Sequence, residues 1–584
     1  MQVELLERED ELTAERSPLF VLPSRVPDSA GRRSLRRAAV VLLLGAGLAV
    51  LGALLYAASV HAAPGNSDGA TVILEGKALS GGNLTLRNWA LSMDSFWLVD
   101  VPFYAVAVLL AGVKPQLLHL VPTIVALGVI CVGAWIALSG RRAWAGVLAA
   151  GVVVVMLGLP SRALAANMLM GPLHVTTVLL CLLAFVALRR GSFGWSWLLA
   201  VGLLAAGMLG DMQSAVLGTV PVVLAGTSLA LRSGSLRAGA PAVTAGLGSA
   251  VLAEAVRLVA ATIGSFSIAG ANPRASLHQM VLNLRGLLGY GAAVQGVGIR
   301  PFSSLSQPLI FEVAHALGLV VVLAGVSLAT VAAFRAGAAG TRAALARPKP
   351  RALAVPPAGR ATSDEQRGHG VWFEDVLVFA FLGACAIYVS LALVSSSVYE
   401  RYLTAVVIFG AILAARLVGR VAEHAGTRRA KAALVAVASV VTAGYVFSFA
   451  ADLTTPPPTQ ASSALVAYLS EHHLTSGIGD YWSSSIVTVE SSDAIKVRPV
   501  TTEPGTQYLG RYMRQTTASW YRAGFEFFVY NTALPWNSVD ARTAAASFGP
   551  PQHVASIGTF RVLTWGHELS LSGTGQYVKY VSAS

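Results

Sequence analysis

Charge is what this chain has least of. Only 12% of its 584 residues are charged, against 55% hydrophobic, and a soluble fold of this length needs far more polar side chains to cover its surface. A soluble globular protein is therefore excluded, and lipid must solvate much of the chain. Cysteine is almost missing: Cys131, Cys181 and Cys385 all fall inside apolar runs. That excludes a disulfide-stapled outer domain and reads the three as small core residues. Neither CxxC nor HExxH occurs, so a structural zinc site has no ligand set. No internal repeat is long enough to suggest the inverted halves of a transporter. Acid is rarer than base, for a net charge of +13, but the stretch from 453 onward is close to balanced. The basic excess sits in tail and loops, where it sets topology and touches anionic headgroups, so nucleic acid is not an expected partner.

What is present is a series of arginine clusters between long apolar runs. They comprise Arg32, Arg33, Arg36 and Arg37, then Arg141 with Arg142, Arg189 with Arg190, Arg232 with Arg237, and the stretches 335–367 and 416–431. Basic residues at span ends stay on the cytoplasmic side, so all six clusters should share that side. If every apolar run crossed, the first cluster would face inward and the later ones outward. One run must fail, and Phe96 to Val113 is the natural choice. It is about 17 residues long, at the lower limit for a span, and contains Asp100 and Pro102. It is read as a half-buried or re-entrant helix on the outer face.

The remaining runs give about eleven spans by length and hydropathy. They lie near 38–60, 116–138, 143–160, 172–188, 193–210, 214–231, 239–262, 308–334, 372–394, 401–418 and 432–452. The expected fold is thus an α-helical polytopic protein of the plasma membrane, with a cytoplasmic N-terminus and an extracytoplasmic C-terminus. Residues 1–37 form a polar, disordered cytoplasmic tail, and 38–452 the transmembrane domain. The first span ends in His61-Ala62-Ala63, loosely like a signal-peptidase site. Its run of about 20 residues exceeds the roughly 7 to 15 of a signal peptide, so it reads as an anchor.

Outer loop 61–115 carries the capping cluster Asn66-Ser67-Asp68 and a short amphipathic helix from Thr71 to Leu79 stopped by Gly81-Gly82. A second outer loop covers 161–171, and a third, 263–307, holds Arg274, Arg285 and Arg300. The cytoplasmic stretch 335–371 reads as a flexible linker. Beyond Pro456-Pro457-Pro458, the region 453–584 is expected to be a small extracytoplasmic α/β domain. It has a helix at 461–473 and β-like runs at 485–490, 495–501, 525–530 and 557–564.

Acids concentrate on the outer side: Asp68, Glu75, Asp94, Asp100 and Asp211, with His174 at the outer start of a span. Ionisable groups at membrane depth are costly and mark function, and a partly desolvated carboxylate suits a general base. Asp68 is the leading base candidate, with helix capping as its structural alternative. Asp94 and Asp100 flank Ser95-Phe96-Trp97, so one is placed toward water and the other toward protein. Asp211 fits a capping role between two spans. His174 follows Gly171-Pro172 near a helix start, where the dipole keeps imidazole neutral; it reads as a core histidine or a hydrogen-bonding site residue. Glu254 and Arg257 are spaced to neutralise one another on one helix face, or to line a cavity. Arg401, within Tyr399-Glu400-Arg401-Tyr402, is suited to hold a lipid phosphate or to anchor a span at the interface.

These features together resemble the type-C glycosyltransferase superfamily, which includes the protein mannosyltransferases and aminoarabinose transferases. The likeness covers most of the chain as architecture and rests on short motifs. Ser67-Asp68 through Leu79-Ser80-Gly81-Gly82 is similar to the family's first-loop acid, helix and glycine stop. Met93-Asp94-Ser95-Phe96, Val101-Pro102-Phe103-Tyr104 and Leu117-Leu118-His119 look like a group of actinobacterial members. Glu400-Arg401-Tyr402-Leu403 is similar to the Arg-Tyr-Leu that begins a late span, and Gly479-Asp480-Tyr481-Trp482 to a Tyr-Trp element of related tails. Two departures stand out: Gly69 follows Asp68 where relatives carry an acidic pair, and loop 161–171 offers only Arg162 and Asn167 where an acid is common. His174 or Asp211 is the nearest substitute.

The resemblance implies transfer of a sugar from a polyprenyl-phosphate donor to an extracytoplasmic acceptor, with inversion. Asp68 would be the base. Arg401 with Tyr402, and Arg162 or Arg300, would bind the donor phosphate, with Asp94, Asp100, His174 and Asp211 completing the substrate site. No cofactor is demanded; a divalent cation between Asp68 and a second acid is the one the pattern allows. A transporter or lipid flippase, and a non-catalytic scaffold with a glycan-binding tail, are the alternatives.

Overall fold

In lipid, backbone N–H and C=O groups find no water and must pair with one another, so apolar runs of this length fold as helices. The computed structural model describes residues 30–172, 174–268, 274–298, 309–346, 361–392, 397–503, 505–534 and 538–571. In chain order the helices are α1 (Ala30–Ala62), α2 (Ser67–Ser80), α3 (Val101–Ala111), α4 (Leu117–Leu138), α5 (Ala143–Gly158), α6 (Arg162–Met168), α7 (Val175–Leu188), α8 (Trp195–Gly210), α9 (Val220–Ser233), α10 (Leu236–Thr262), α11 (Leu277–Val294), α12 (Leu309–Ala346), α13 (Ala361–Ser390), α14 (Thr404–His424), α15 (Arg428–Thr454), α16 (Ala461–Glu471), α17 (Tyr481–Glu490) and α18 (Ala541–Phe548). The strands are β1 (Trp89–Leu91), β2 (Ser267–Ile268), β3 (Ser476–Gly479), β4 (Lys496–Thr502), β5 (Leu509–Arg511), β6 (Thr516–Thr517), β7 (Phe525–Asn531), β8 (His553–Ile557) and β9 (Phe560–Leu569). Met1–Leu51 and Gly52–Ser584 form two units. The described part of the first is the leading part of α1, and the second holds the other elements.

Each of the eleven predicted spans coincides with a helix. Eight are long and apolar enough to cross a membrane, and α5 and α6, bent by 85° at the break between them, reach that length and hydropathy only as a pair. The other two, α7 and α8, have 14 and 16 residues, a rise short of the roughly 30 Å hydrocarbon core. The apolar helices identify a multi-pass membrane protein. The run around Tyr104 folds as α3, whose 11 residues rise about 16 Å, half the hydrocarbon thickness.

Beyond α15 lies a six-stranded sheet in the order β5-β4-β3-β7-β9-β8. β3 runs parallel to β4 and β7, and the other pairs are antiparallel. A second, three-stranded sheet joins β1 in parallel to β2 and antiparallel to β6, so the segments preceding α3 and α11 meet the C-terminal region there. The core under the sheet is continuous with the first outer loop: Ile73 and Leu74 of α2 bury with Ile486, Val487 and Phe527.

Several expectations are corrected. Residues 485–490 are helical, not a strand, because Asp480 caps α17 by accepting from the Ser483 amide and the helix then buries Ile486, Val487 and Val489. The β-branched run had suggested a strand; the cap decides otherwise. The helix of the first outer loop is not amphipathic, since α2 is buried on all sides from Gly69 to Gly76. The third outer loop contains α11, and loop 161–171 contains α6. Stretch 335–371 is partly helical, because α12 runs on to Ala346 and α13 starts at Ala361. Of the cysteines only Cys181 is buried; Cys131 is exposed and Cys385 intermediate. The expected disordered tail falls mostly on residues 1–29, and Arg300 lies at 299–308, both outside the described residues.

Candidate active site

The start of α2 sets the first side chain. Asn66 is the cap, its side chain accepting from the Gly69 amide at 2.9 Å, a contact worth about 1 kcal/mol. Asp68 is therefore relieved of the capping role, and its carboxylate turns outward. Oδ1 accepts the Tyr481 hydroxyl at 2.5 Å, and Oδ2 stands 4.0 Å from Arg401 Nη1. Tyr481 is brought there because α17 docks on α2, with Ser67 Oγ donating to the Trp482 carbonyl at 2.9 Å and Thr71 Oγ1 to Ser485 Oγ at 2.9 Å. Gln515 Oε1 also lies 2.5 Å from the Tyr481 oxygen. The single phenolic proton goes to the charged carboxylate, and the Gln515 amide turned over donates Nε2 to the phenol. Burial first, and Asp68 second, hold the Tyr481 pKa well above 10.0, so Tyr481 stays a donor.

On its other side Arg401 leads to a second cluster. It sits in the 3-10 turn Ser397–Leu403 ahead of α14, its guanidinium 5.3 Å from the Tyr402 ring. Tyr402 in turn stacks on His174 at 5.2 Å and 27°. His174 is the first residue before α7 and holds a left-handed φ of 67°, costly for a residue with a Cβ. Its Nδ1 bonds Asp211 Oδ2 at 2.8 Å, and Gln213 Nε2 lies 2.9 Å from the other ring nitrogen. The tautomer that fits carries its proton on Nδ1. Asp211 also accepts Thr177 Oγ1 at 2.5 Å and the Gln213 amide at 2.9 Å.

Asp94 is delivered to this cluster by its own loop. Ser95 Oγ donates to the Leu209 carbonyl at 3.1 Å, and the Phe96 amide to the Gly210 carbonyl at 2.7 Å. That fixes residues 95 and 96 on the last turn of α8, next to Asp211. Gly210 permits the approach: a Cβ there would lie 2.5 Å from Val99 Cγ2.

Burial, and then the Asp211 charge, push the Asp94 pKa up to about 6. For Asp211, burial raises the pKa, but His174 together with the hydrogen bonds from Thr177 and the Gln213 amide holds the carboxyl below its usual range. His174 is correspondingly raised: burial lowers its pKa, and Asp211 more than offsets that.

Asp100 faces inward, only 5% exposed, and accepts Thr176 Oγ1 at 2.6 Å. Burial is the first cause that lifts its pKa to about 7. Glu75, 1% exposed, is raised well above 4.5 by burial and then by Asp100.

Ligand atoms of Asp94, His174 and Asp211 all lie within 4.8 Å of one another. Atoms this close can share one divalent ion once His174 gives up its Nδ1 proton or its Gln213 contact, and two carboxylates with one imidazole suit its charge. The donor set therefore fits a divalent cation. It does not include Asp68, where sequence reasoning had put one end of a cation site, because Tyr481 and Arg401 occupy that carboxylate.

The structure thus brings Asp68, Asp94, His174, Asp211, Arg401 and Tyr402 into one region, with Asp100 behind it. Arg162 is not among them: its amide donates to Asp452 Oδ2 at 3.1 Å, and it lines a small pocket with His61 and Phe449. The sharp α5–α6 bend sends it there. Glu254 and Arg257 pair at 2.5 Å on a half-exposed face of α10. Sequence reasoning placed Tyr481 only in a Tyr-Trp element similar to that of related tails, and it missed Gln515 and Thr177. Nothing local in the sequence marks Gln515, 34 positions from Tyr481, as part of the site.

No family model matches the sequence, and no curated protein sequence matches it. Among solved structures it is similar to the archaeal oligosaccharyltransferase AglB from Archaeoglobus fulgidus in complex with an inhibitory peptide and a dolichol-phosphate. The identity is 13% over 83% of this chain and 69% of that one, with a TM-score of 0.40. The chemistry of the site is therefore read from its own residues.

Proposed function

We propose that this chain is a membrane glycosyltransferase that moves a sugar from a polyprenyl-phosphate donor to a hydroxyl on an extracytoplasmic acceptor. One observation carries the reading: the Arg401 guanidinium stands between the Asp68 carboxylate, 4.0 Å away, and the Tyr402–His174–Asp211 stack. A base and a phosphate-binding cation are thus neighbours at the end of a membrane helix, which is what attack on a lipid-phosphate sugar requires.

In this mechanism the acceptor oxygen bonds to the anomeric carbon as the bond from that carbon to the phosphate oxygen breaks on the opposite face, inverting the centre. The acceptor proton passes to Asp68 Oδ2 while Tyr481 holds Oδ1. The electron pair leaves on the polyprenyl phosphate, whose charge Arg401 meets. A divalent ion held by Asp94, His174 and Asp211 supplies further positive charge when bound. The apolar surface between helices takes the polyprenyl chain.

The test is transfer by the purified protein from a radiolabelled polyprenyl-phosphate sugar pool. Asp68→Asn should lower the rate by about 10²-fold or more, and Arg401→Gln should weaken donor binding, both with unchanged membrane insertion. Transfer at the parent rate by Asp68→Asn overturns the reading.

A further inference from the structure

α14 starts just after Arg401, and its 21 residues rise about 30 Å, so its far end lies on the membrane face opposite the candidate site. There Arg141, Arg416 and Arg420 surround Glu374. At this end α14 and α15 are joined by only Ala425, Gly426 and Thr427, yet the two helices diverge. α14 packs on α5, α12 and α13, whereas α15 packs chiefly on α12. The gap is a groove of about 610 Å³ whose walls include Val421, Ala433, Leu434 and Val437, with Arg420 and His424 also lining it.

Among the described residues, the charge left without an acidic partner around the groove is of one sign. Arg428, Arg429 and Lys431 open α15 and are exposed, and none of them has a carboxylate partner among the described residues. Glu423, the nearby acid, is already taken by Arg141 Nη1 at 2.9 Å and by the Arg142 amide at 3.0 Å. Lys431 Nζ lies 5.4 Å from the Trp144 ring, and tryptophan and lysine together mark headgroup depth. An apolar slot at that depth, open to the bilayer and rimmed with cations, matches an acyl chain beneath an anionic phosphate. A water-soluble ligand would gain nothing from Leu434 and Val437, and a zwitterionic lipid would leave the cations unanswered.

We propose that this groove is a binding site for anionic phospholipid, with an acyl chain between α14 and α15 and the headgroup phosphate among Arg420, Arg428 and Arg429. It does not depend on the proposed activity, because it lies on the other membrane face.

The full chain, reconstituted in nanodiscs of equal phosphatidylglycerol and phosphatidylcholine and released for native mass spectrometry, should retain phosphatidylglycerol selectively. Two variants separate headgroup from slot. Arg428→Gln with Arg429→Gln should cut the selectivity by about five-fold per charge removed. Ala433→Trp, which keeps every charge, should remove one retained lipid by filling the slot. Both changes fall on exposed positions, and circular dichroism checks the helices. Equal retention of the two lipids by the parent chain overturns the site. So does selectivity lost with the arginines but untouched by Ala433→Trp, since headgroups would then be gathered on open basic surface.

Discussion

Asp100 and Tyr481 answer to different forces. Asp100 has a folded-state pKa of about 7 against an ordinary 3.8, so folding favours its protonated form. The stability this gives is complete below about pH 4, falls as pH rises because the unfolded chain ionises first, and is lost once pH passes about 7. Asn cannot ionise and keeps an oxygen to accept from Thr176. Asp100→Asn should therefore melt like the parent near pH 4, gain on it steadily up to pH 7, and hold a constant advantage of a few kcal/mol above that. Thermal denaturation across that range measures it, and an advantage independent of pH would show that Asp100 ionises freely in the fold. Tyr481 gives a contrasting case. Its hydroxyl bonds a charged oxygen, a contact worth about 1.5–3 kcal/mol. If Asp68 reacts from the position Tyr481 holds it in, Tyr481→Phe should slow transfer by about ten-fold or more, with a loss of stability no larger than that one contact. A parent rate in that variant would remove Tyr481 from the site.

At the scale of elements, what the sequence revealed and what it concealed divide by range. The apolar runs were legible because lipid dictates both their length and their helical state. Asn66-Ser67-Asp68 was legible as a helix start, but that Asn66 caps it while Asp68 meets Tyr481 of α17 was not. The run at 485–490 was misread since a buried helix and a strand share β-branched residues, and only the Asp480 cap distinguishes them. The meeting of Asp94 with Asp211 was invisible for a similar reason: two hydrogen bonds from Ser95 and Phe96 to the end of α8 create it. Those bonds need Gly210, which lets Val99 come close. Gly210→Ala should push the 95–99 segment off α8, separate Asp94 from Asp211 and His174, and reduce both divalent-cation binding and transfer without loss of membrane insertion. Calorimetry with Mn²⁺ on the variant and parent would detect the first effect, and equal binding would show that the loop tolerates the methyl group.

Across the whole molecule, the region after α15 is built into the candidate site rather than appended to it. Three observations say so. Tyr481 reaches Asp68, β6 pairs with β1 of the first outer loop, and Ile73 and Leu74 bury against Ile486, Val487 and Phe527. Sequence reasoning drew a boundary at 453 from the triple proline and the change in composition, and α15 ends beside it at Thr454. The boundary does not mark where the first outer loop stops depending on the rest. A chain ended after Thr455 keeps its apolar helices, so it should still insert. It loses the apolar partners of α2, the strand beside β1 and the donor to Asp68 together. The first outer loop should then become open to protease between α1 and α4, and transfer should fall to background. If the shortened chain instead resists cleavage there and transfers sugar at the full rate, α2 and Asp68 are held by the membrane helices alone, and the outer sheet serves some other purpose.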